Sequence, residues 1–165
     1  MLTQLQMETQ ETSKSGETAA DKRQYCVFRS GRDRYCLSVL EVEEVVGRFV
    51  LTRVPLAPPF LMGIFNLRGV IVPVLDIAHD EDRRSDTLPT QLVVASWSGD
   101  TGRGALRVGL AVDEMFGTFL TSEPLLVDEA PRRTLPCRGL LRHDNSLVLV
   151  LDIRRLAEAF LIPVI

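Results

Sequence analysis

The chain has 165 residues, 45% of them hydrophobic, and a net charge of −3; this is enough apolar content for one domain or for two small, intimately packed subdomains. The acidic balance gives no electrostatic footprint for nucleic acid or for an anionic membrane surface, and no apolar run approaches the length of a membrane span. Cys26, Cys36 and Cys137 lie in or beside apolar runs and show no CxxC or Cys/His spacing, which predicts buried free thiols in a reducing compartment and no metal site.

The first 22 residues are polar and lack aromatics, so they are expected to be a disordered tail, with residues 23–165 forming the folded part. They also lack a charged head followed by an apolar stretch, which excludes an ordinary signal peptide; a soluble, cytoplasmic protein is expected. Gln24 to Ser30 and Tyr35 to Val39 flank Gly31-Arg32-Asp33-Arg34 and predict a hairpin. Val39 to Val46 is expected to be mostly strand because of its valines, with Gly47 closing it. Arg48 to Val54 is expected to be another short strand. Pro58 and Pro59 are placed to open a single helical turn at Phe60-Leu61-Met62.

Gly63 to Ile77 carries the strongest signal in the chain. Two apolar, β-branched runs flank Arg68-Gly69, as in a tight antiparallel hairpin. Arginine resists positive φ, which favours a three-residue loop, Leu67-Arg68-Gly69 with Gly69 left-handed, over a two-residue type I′ turn. Arg68 then stands at an exposed tip. Both faces of the hairpin are apolar, so one must meet a second layer, and Pro73 implies a free edge or a bulge in its strand. Asp76 is placed to cap a short helical turn through His79, and Asp80 to Ser85 reads as a charged surface loop.

Gln91 to Ser96 and Leu106 to Val112 predict a further strand pair joined by a glycine-rich connection. Gly117 is expected to end a strand-like stretch from Leu106 to Phe116, and Ser122 to Pro136 reads as an irregular link. The central hairpin then recurs at a constant offset of 76 residues, which pairs Gly63 with Gly139, Gly69 with Asn145 and Asp76 with Asp152. Asparagine is the next-best residue for a left-handed position, so one backbone need is met twice, as in an internal duplication, half by half. Arg68 is not repeated, since Asp144 holds its place. Asp152 should cap a last helix through about Phe160. Many short strands at near-regular spacing indicate an all-β barrel or sandwich.

No catalytic site assembles. His79 and His143 have no nucleophile or base partner, GDTGRG from Gly99 to Gly104 matches no phosphate-binding fingerprint, and no GxSxG is present. Asp76 and Asp152 resemble a carboxylate pair but are better explained as caps.

Asn66-Leu67-Arg68-Gly69, followed by Pro73 and Asp76, resembles the NLRG…P…D signature of the CheW-like coupling proteins of bacterial chemotaxis. Val42-Glu43-Glu44-Val45 before Gly47 is similar to the family's V-x-E-[IV] segment, and Val108 to Asp113 to its VG-x-x-VD strand; the similarity spans about Gln24 to Ala159. It implies an all-β fold of two interlocked five-stranded, SH3-like barrels with a short C-terminal helix, and no catalysis or cofactor. It further implies an adaptor between the cytoplasmic tips of methyl-accepting chemoreceptors and the regulatory domain of a CheA-type histidine kinase. By position, Val42, Glu44 and Arg68, with Asn66 and Leu67 of the same motif, match residues important for coupling. Leu51 and Thr52 fall on the strand region used against the kinase, and Gly109, Val112 and Met115 near the groove between subdomains. Phe49-Val50-Leu51 is more apolar than the family pattern, and the Ser122 to Pro136 link is not recognisable in it. Two alternatives stand beside this one: a like adaptor controlling pili or second messengers, and a small barrel that binds nucleic acid. The latter needs a basic groove with aromatics, whereas the chain is acidic with one Trp and two Tyr.

Overall fold

A computed structural model of the chain describes residues 22–78, 89–98, 105–127 and 135–160. The strands are β1 (Arg23–Ser30), β2 (Asp33–Ser38), β3 (Val42–Gly47), β4 (Leu61–Leu67), β5 (Val70–Asp76), β6 (Gln91–Ser98), β7 (Ala105–Val112), β8 (Glu114–Thr121), β9 (Cys137–His143) and β10 (Ser146–Leu151), and one helix follows, α1 (Ile153–Phe160). The strands make two five-stranded sheets, in the orders β8-β1-β2-β10-β9 and β3-β6-β7-β5-β4. Advancing every strand of the first sheet by five positions, cyclically, gives the second. The duplication is therefore half by half in sequence, but each half lends its last three strands to the other half's first two. Parallel pairings join the exchanged parts: β10 to β2 through Leu149↔Tyr35 and Val150↔Cys36, and β5 to β7 through Val74↔Gly109 and its two successors.

Alternation along the strands divides the apolar residues into three cores, because successive side chains point to opposite faces. Val27, Cys36, Val148 and Val150 fill the first sheet's own interior; Val72, Val74, Leu92, Val94 and Ala111 fill the second's. Their strand neighbours Phe28, Leu37, Leu75, Val93, Leu110, Leu149 and Leu151 form a larger core shared by both sheets, completed by Ile153, Leu156 and Ala157 of the helix. This is the second layer that the two-faced apolar hairpin required. Each fully buried side chain of this size contributes about 1.5–3 kcal/mol.

Contacts between opposite edges show that both sheets curl on themselves. In the second, Arg68 at the β4–β5 turn reaches Glu44 on β3; in the first, Phe119 of β8 stacks on His143 at the end of β9, with centroids 4.2 Å apart.

Several local expectations are corrected. Val39 to Glu41 form a turn, so β3 begins only at Val42. Arg48 to Val54 is no strand, because among the described residues only its Thr52 pairs, through an isolated bridge to Ile64. Residues 58–60 form no helical turn, and Leu61 and Met62 already belong to β4. Gly117 ends nothing: it lies inside β8, where the β1 register shifts from Val27↔Gly117 to Phe28↔Met115. Its φ of 99° marks a bulge, not a terminus. Pro73 sits just ahead of the β5–β7 ladder, which starts at Val74.

Asp152 caps α1 as expected, its Oδ1 accepting from the Arg155 amide at 3.0 Å. Asp76 Oδ1 accepts from the Ala78 amide at 3.0 Å, but Ile77 and Ala78 are not helical, and His79 lies outside the described residues, as do the polar tail before residue 22, the charged loop and the glycine-rich connection. None of the three cysteines forms a disulfide; Cys26 and Cys36 are buried and Cys137 is half-buried. Burial pushes the Cys36 thiol up to about 12, with Cys26 and Cys137 adding to the rise, so it is a poor nucleophile at neutral pH. Cys26 and Cys36 do not face each other, since the register opposes Cys26 to Leu37 and Cys36 to Val27.

Candidate functional site

The β4–β5 turn has two residues, not three. Leu67↔Val70 is the last ladder pair, and Arg68 (φ 50°) and Gly69 (φ 88°) are both at positive φ, the type I′ requirement. The left-handed conformation costs arginine about 1–2 kcal/mol, and two contacts offset it. Asn66 Oδ1 accepts from the Gly69 amide at 2.7 Å, and Arg68 Nη2 donates to Glu44 Oε1 at 2.9 Å. The Asp144-Asn145 turn repeats the geometry, with φ values of 46° and 58°.

The Arg68 side chain remains 77% exposed, against 30% for Glu44. An ion pair this open contributes less than about 1 kcal/mol to stability. Its consequence is positional: one donor is fixed on Glu44, and the exposed guanidinium, which carries five donors, keeps capacity for a second carboxylate.

Beside the tip, Arg107 Nε on β7 donates to Glu43 Oε2 at 2.6 Å, and this bond raises the Arg107 pKa further above its ordinary value. Glu43 and Glu44 are adjacent and would normally point to opposite faces. The β3 register skips from Val42↔Ala95 to Glu44↔Val94, so Glu43 is a bulged residue and both carboxylates find arginines on the same rim. A shallow depression of about 190 Å³ lies between Glu43, Leu67, Arg68, Val70 and Arg107. Val70 and Ile71, directly after the turn, are 42% and 57% exposed. Charged groups bordered by exposed aliphatic surface are the makings of a protein interface.

The residues nominated from sequence separate into groups. Glu44, Asn66 and Arg68 converge at the tip. Thr52 is exposed beside β4, exchanging both backbone hydrogen bonds with Ile64 at 2.9 Å, and Leu51 packs against the second sheet's interior. Val42 and Met115 are half-buried against the shared core, which contains Val112. Leu67 is buried, and Gly109 lies where a Cβ would meet Leu92 and Val74 side chains at 2.8 and 3.1 Å. Glu43, Arg107, Val70 and Ile71 were not nominated. The consecutive glutamates of Val42-Glu43-Glu44-Val45 were the available signal for Glu43, but only the bulge gives it meaning. Among the described residues no group of three or more His, Cys, Asp or Glu side chains could hold a metal ion, and no helix is long and apolar enough to cross a membrane.

Residues 24–160 match the CheW-like domain family. The chain is 34% identical over 140 residues to the probable chemotaxis protein CheW of Rhizobium etli, covering 81% of this chain and 86% of that protein. It is 38% identical over 63 residues to the chemotaxis protein CheW of Klebsiella aerogenes, a match to 38% of this chain and only 37% of that protein. Among solved structures, the scaffolding protein TtCheW from Thermoanaerobacter tengcongensis shares the fold with a TM-score of 0.63 at 24% identity, over 79% of this chain and 88% of that one.

Proposed function

Because the chain belongs to the CheW-like domain family, we propose that it is a non-enzymatic adaptor of chemotaxis signalling. In this role it joins the cytoplasmic tips of methyl-accepting chemoreceptors to the regulatory domain of a CheA-type histidine kinase, in the cytoplasm at receptor arrays. The observation that carries the proposal is the Arg68 tip: an exposed guanidinium on a rigid two-residue turn, oriented by Glu44. A preorganised arginine binds a partner carboxylate without first losing the freedom of a flexible loop. Thr52, exposed on the neighbouring flank of β4, extends the proposed contact surface toward the kinase, with Leu51 packed behind it. Leu67 and Gly109 back these surfaces from the second sheet's interior, and the proposed site extends to Val42, Val112 and Met115 at the core shared by the two sheets.

The test is kinase activation reconstituted with the receptor and kinase of the same organism. Arg68→Glu should lower receptor-dependent phosphorylation at least about tenfold, the cost of replacing one charge-assisted contact with repulsion, while leaving the circular dichroism spectrum unchanged and lowering the unfolding midpoint by no more than the equivalent of about 1 kcal/mol. Arg68→Lys, which keeps charge but loses the planar fork, should fall between. Activation by Arg68→Glu within twofold of the parent chain removes Arg68 from the coupling site.

A further inference from the structure

A second open concavity lies away from the hairpin tip. It is a groove of about 640 Å³ between the segment 49–59 and the start of β4, walled by Phe49, Leu51, Pro58, Pro59, Leu61 and Met62, with Arg53 and Asp76 also on its wall. The segment 49–59 is held out in solvent at a cost. Leu56 is fully exposed with φ 60°, and Val50 is 84% exposed. A left-handed leucine is strained by about 1–3 kcal/mol. Apolar surface gathered in this way calls for a cover.

The chain brings one to the rim. Ile153, Leu156 and Ala157 seat α1 on the shared core, and Phe160, one turn further on the same face, packs its ring on Phe60 with centroids 4.7 Å apart. The residues on either side of Phe60, Pro59 and Leu61, both line the groove. The next five residues are Leu161, Ile162, Pro163, Val164 and Ile165, without a polar side chain. Pro163 cannot continue the helix and biases Ile162 toward extended backbone. Extended, five residues reach about 16 Å, enough to follow the groove from a start at Phe60.

We propose that residues 161–165 dock in this groove as the apolar cover of the segment 49–59, in the same chain. A tether of so few residues gives an effective concentration in the millimolar range, which favours the contact within one chain over the same contact between two. The proposal concerns an internal contact and stands or falls separately from the adaptor function.

Amide hydrogen exchange on the full chain tests it. The amides of residues 161, 162, 164 and 165 should exchange at least about tenfold more slowly than in Ala57→Glu, which puts a charge into the groove wall, and dilution should leave the protection unchanged. In the reciprocal variant, Ile162→Asp with Val164→Asp, exchange should rise across 49–59 while the β6 and β7 amides stay as they were. The proposal is overturned if these four amides exchange at unstructured-peptide rates in the parent chain, or if Ala57→Glu leaves them protected. It is equally overturned if protection falls on dilution, which assigns the contact to a second copy.

Discussion

Gly63 and Gly139 occupy matching places in the two hairpins, and each supports a segment crossing over it. Both have φ near 155°, 154° and 156° respectively, where L side chains are rare. A Cβ on Gly63 would lie 2.5 Å from the Thr52 carbonyl oxygen, and one on Gly139 would lie 3.1 Å from that of Leu126. Both obstacles are backbone atoms, each held by a reciprocal pair of hydrogen bonds, Thr52 with Ile64 and Leu126 with Leu140, so the shorter approach at Gly63 is what separates the two sites. Gly63→Ala should therefore destabilise the chain by about 3 kcal/mol or more, and Gly139→Ala by about 1–2 kcal/mol, where strain outweighs the clash. Urea unfolding midpoints at constant slope measure the difference; equal losses, or the reverse order, contradict it. The same scale explains what sequence allowed at the hairpin tip. The exposed place of Arg68 was legible from its flanking strands. The turn type was not, because arginine's reluctance toward positive φ is a local preference, while the contacts that override it come from Asn66 and from Glu44, a residue 24 positions away.

Elements with local causes were legible, and α1 is the clearest. Its apolar residues recur at helical spacing, and Asp152 precedes them. The carboxylate of Asp152 caps the Arg155 amide and also lies 3.8 Å from Arg138 Nε and 3.7 Å from Arg155 Nε. A cap is worth about 1 kcal/mol, whereas ion pairs with exposed arginines are worth a few tenths. Asp152→Ala should cost about 1 kcal/mol, and Asp152→Asn, which keeps the accepting oxygen and loses the charge, should recover most of it. If asparagine is as damaging as alanine in thermal melts, the charge and not the cap is what matters. Elements with distant causes were misread. Phe49-Val50-Leu51 has the composition of a strand, but its side chains face the second sheet's interior and the groove, and among the described residues no strand beyond the Thr52–Ile64 bridge pairs with it. β8 was hidden because Gly117 looks like a terminus, when its function is to let the strand bulge against β1.

On the scale of the whole molecule, the exchange of strands decides how the chain must unfold. The first sheet takes β1 and β2 from one half and β8, β9 and β10 from the other, and the second sheet is built the complementary way. Repetition at a fixed offset made the duplication legible. The exchange was legible only through the family resemblance, because it rests on pairings between strands far apart in sequence, the antiparallel β1–β8 and β3–β6 ladders and two short parallel ones, and an apolar strand does not name its neighbour. Neither sheet can be completed by one half, and the core between the sheets takes side chains from both. The two sheets should therefore unfold in one transition. The sequence supplies a probe for each: Trp97, the single tryptophan, is on β6 of the second sheet, and Tyr25 and Tyr35, the only tyrosines, are on β1 and β2 of the first. Tryptophan fluorescence and tyrosine near-ultraviolet dichroism should give coincident urea curves. Leu151→Ala, on β10 of the first sheet, should move both midpoints together by the equivalent of about 2–5 kcal/mol, the cost of a cavity in a well-packed core. Curves that separate, or a Leu151→Ala shift confined to the tyrosine signal, would mean that the sheets are independent units and that the shared core does not couple them.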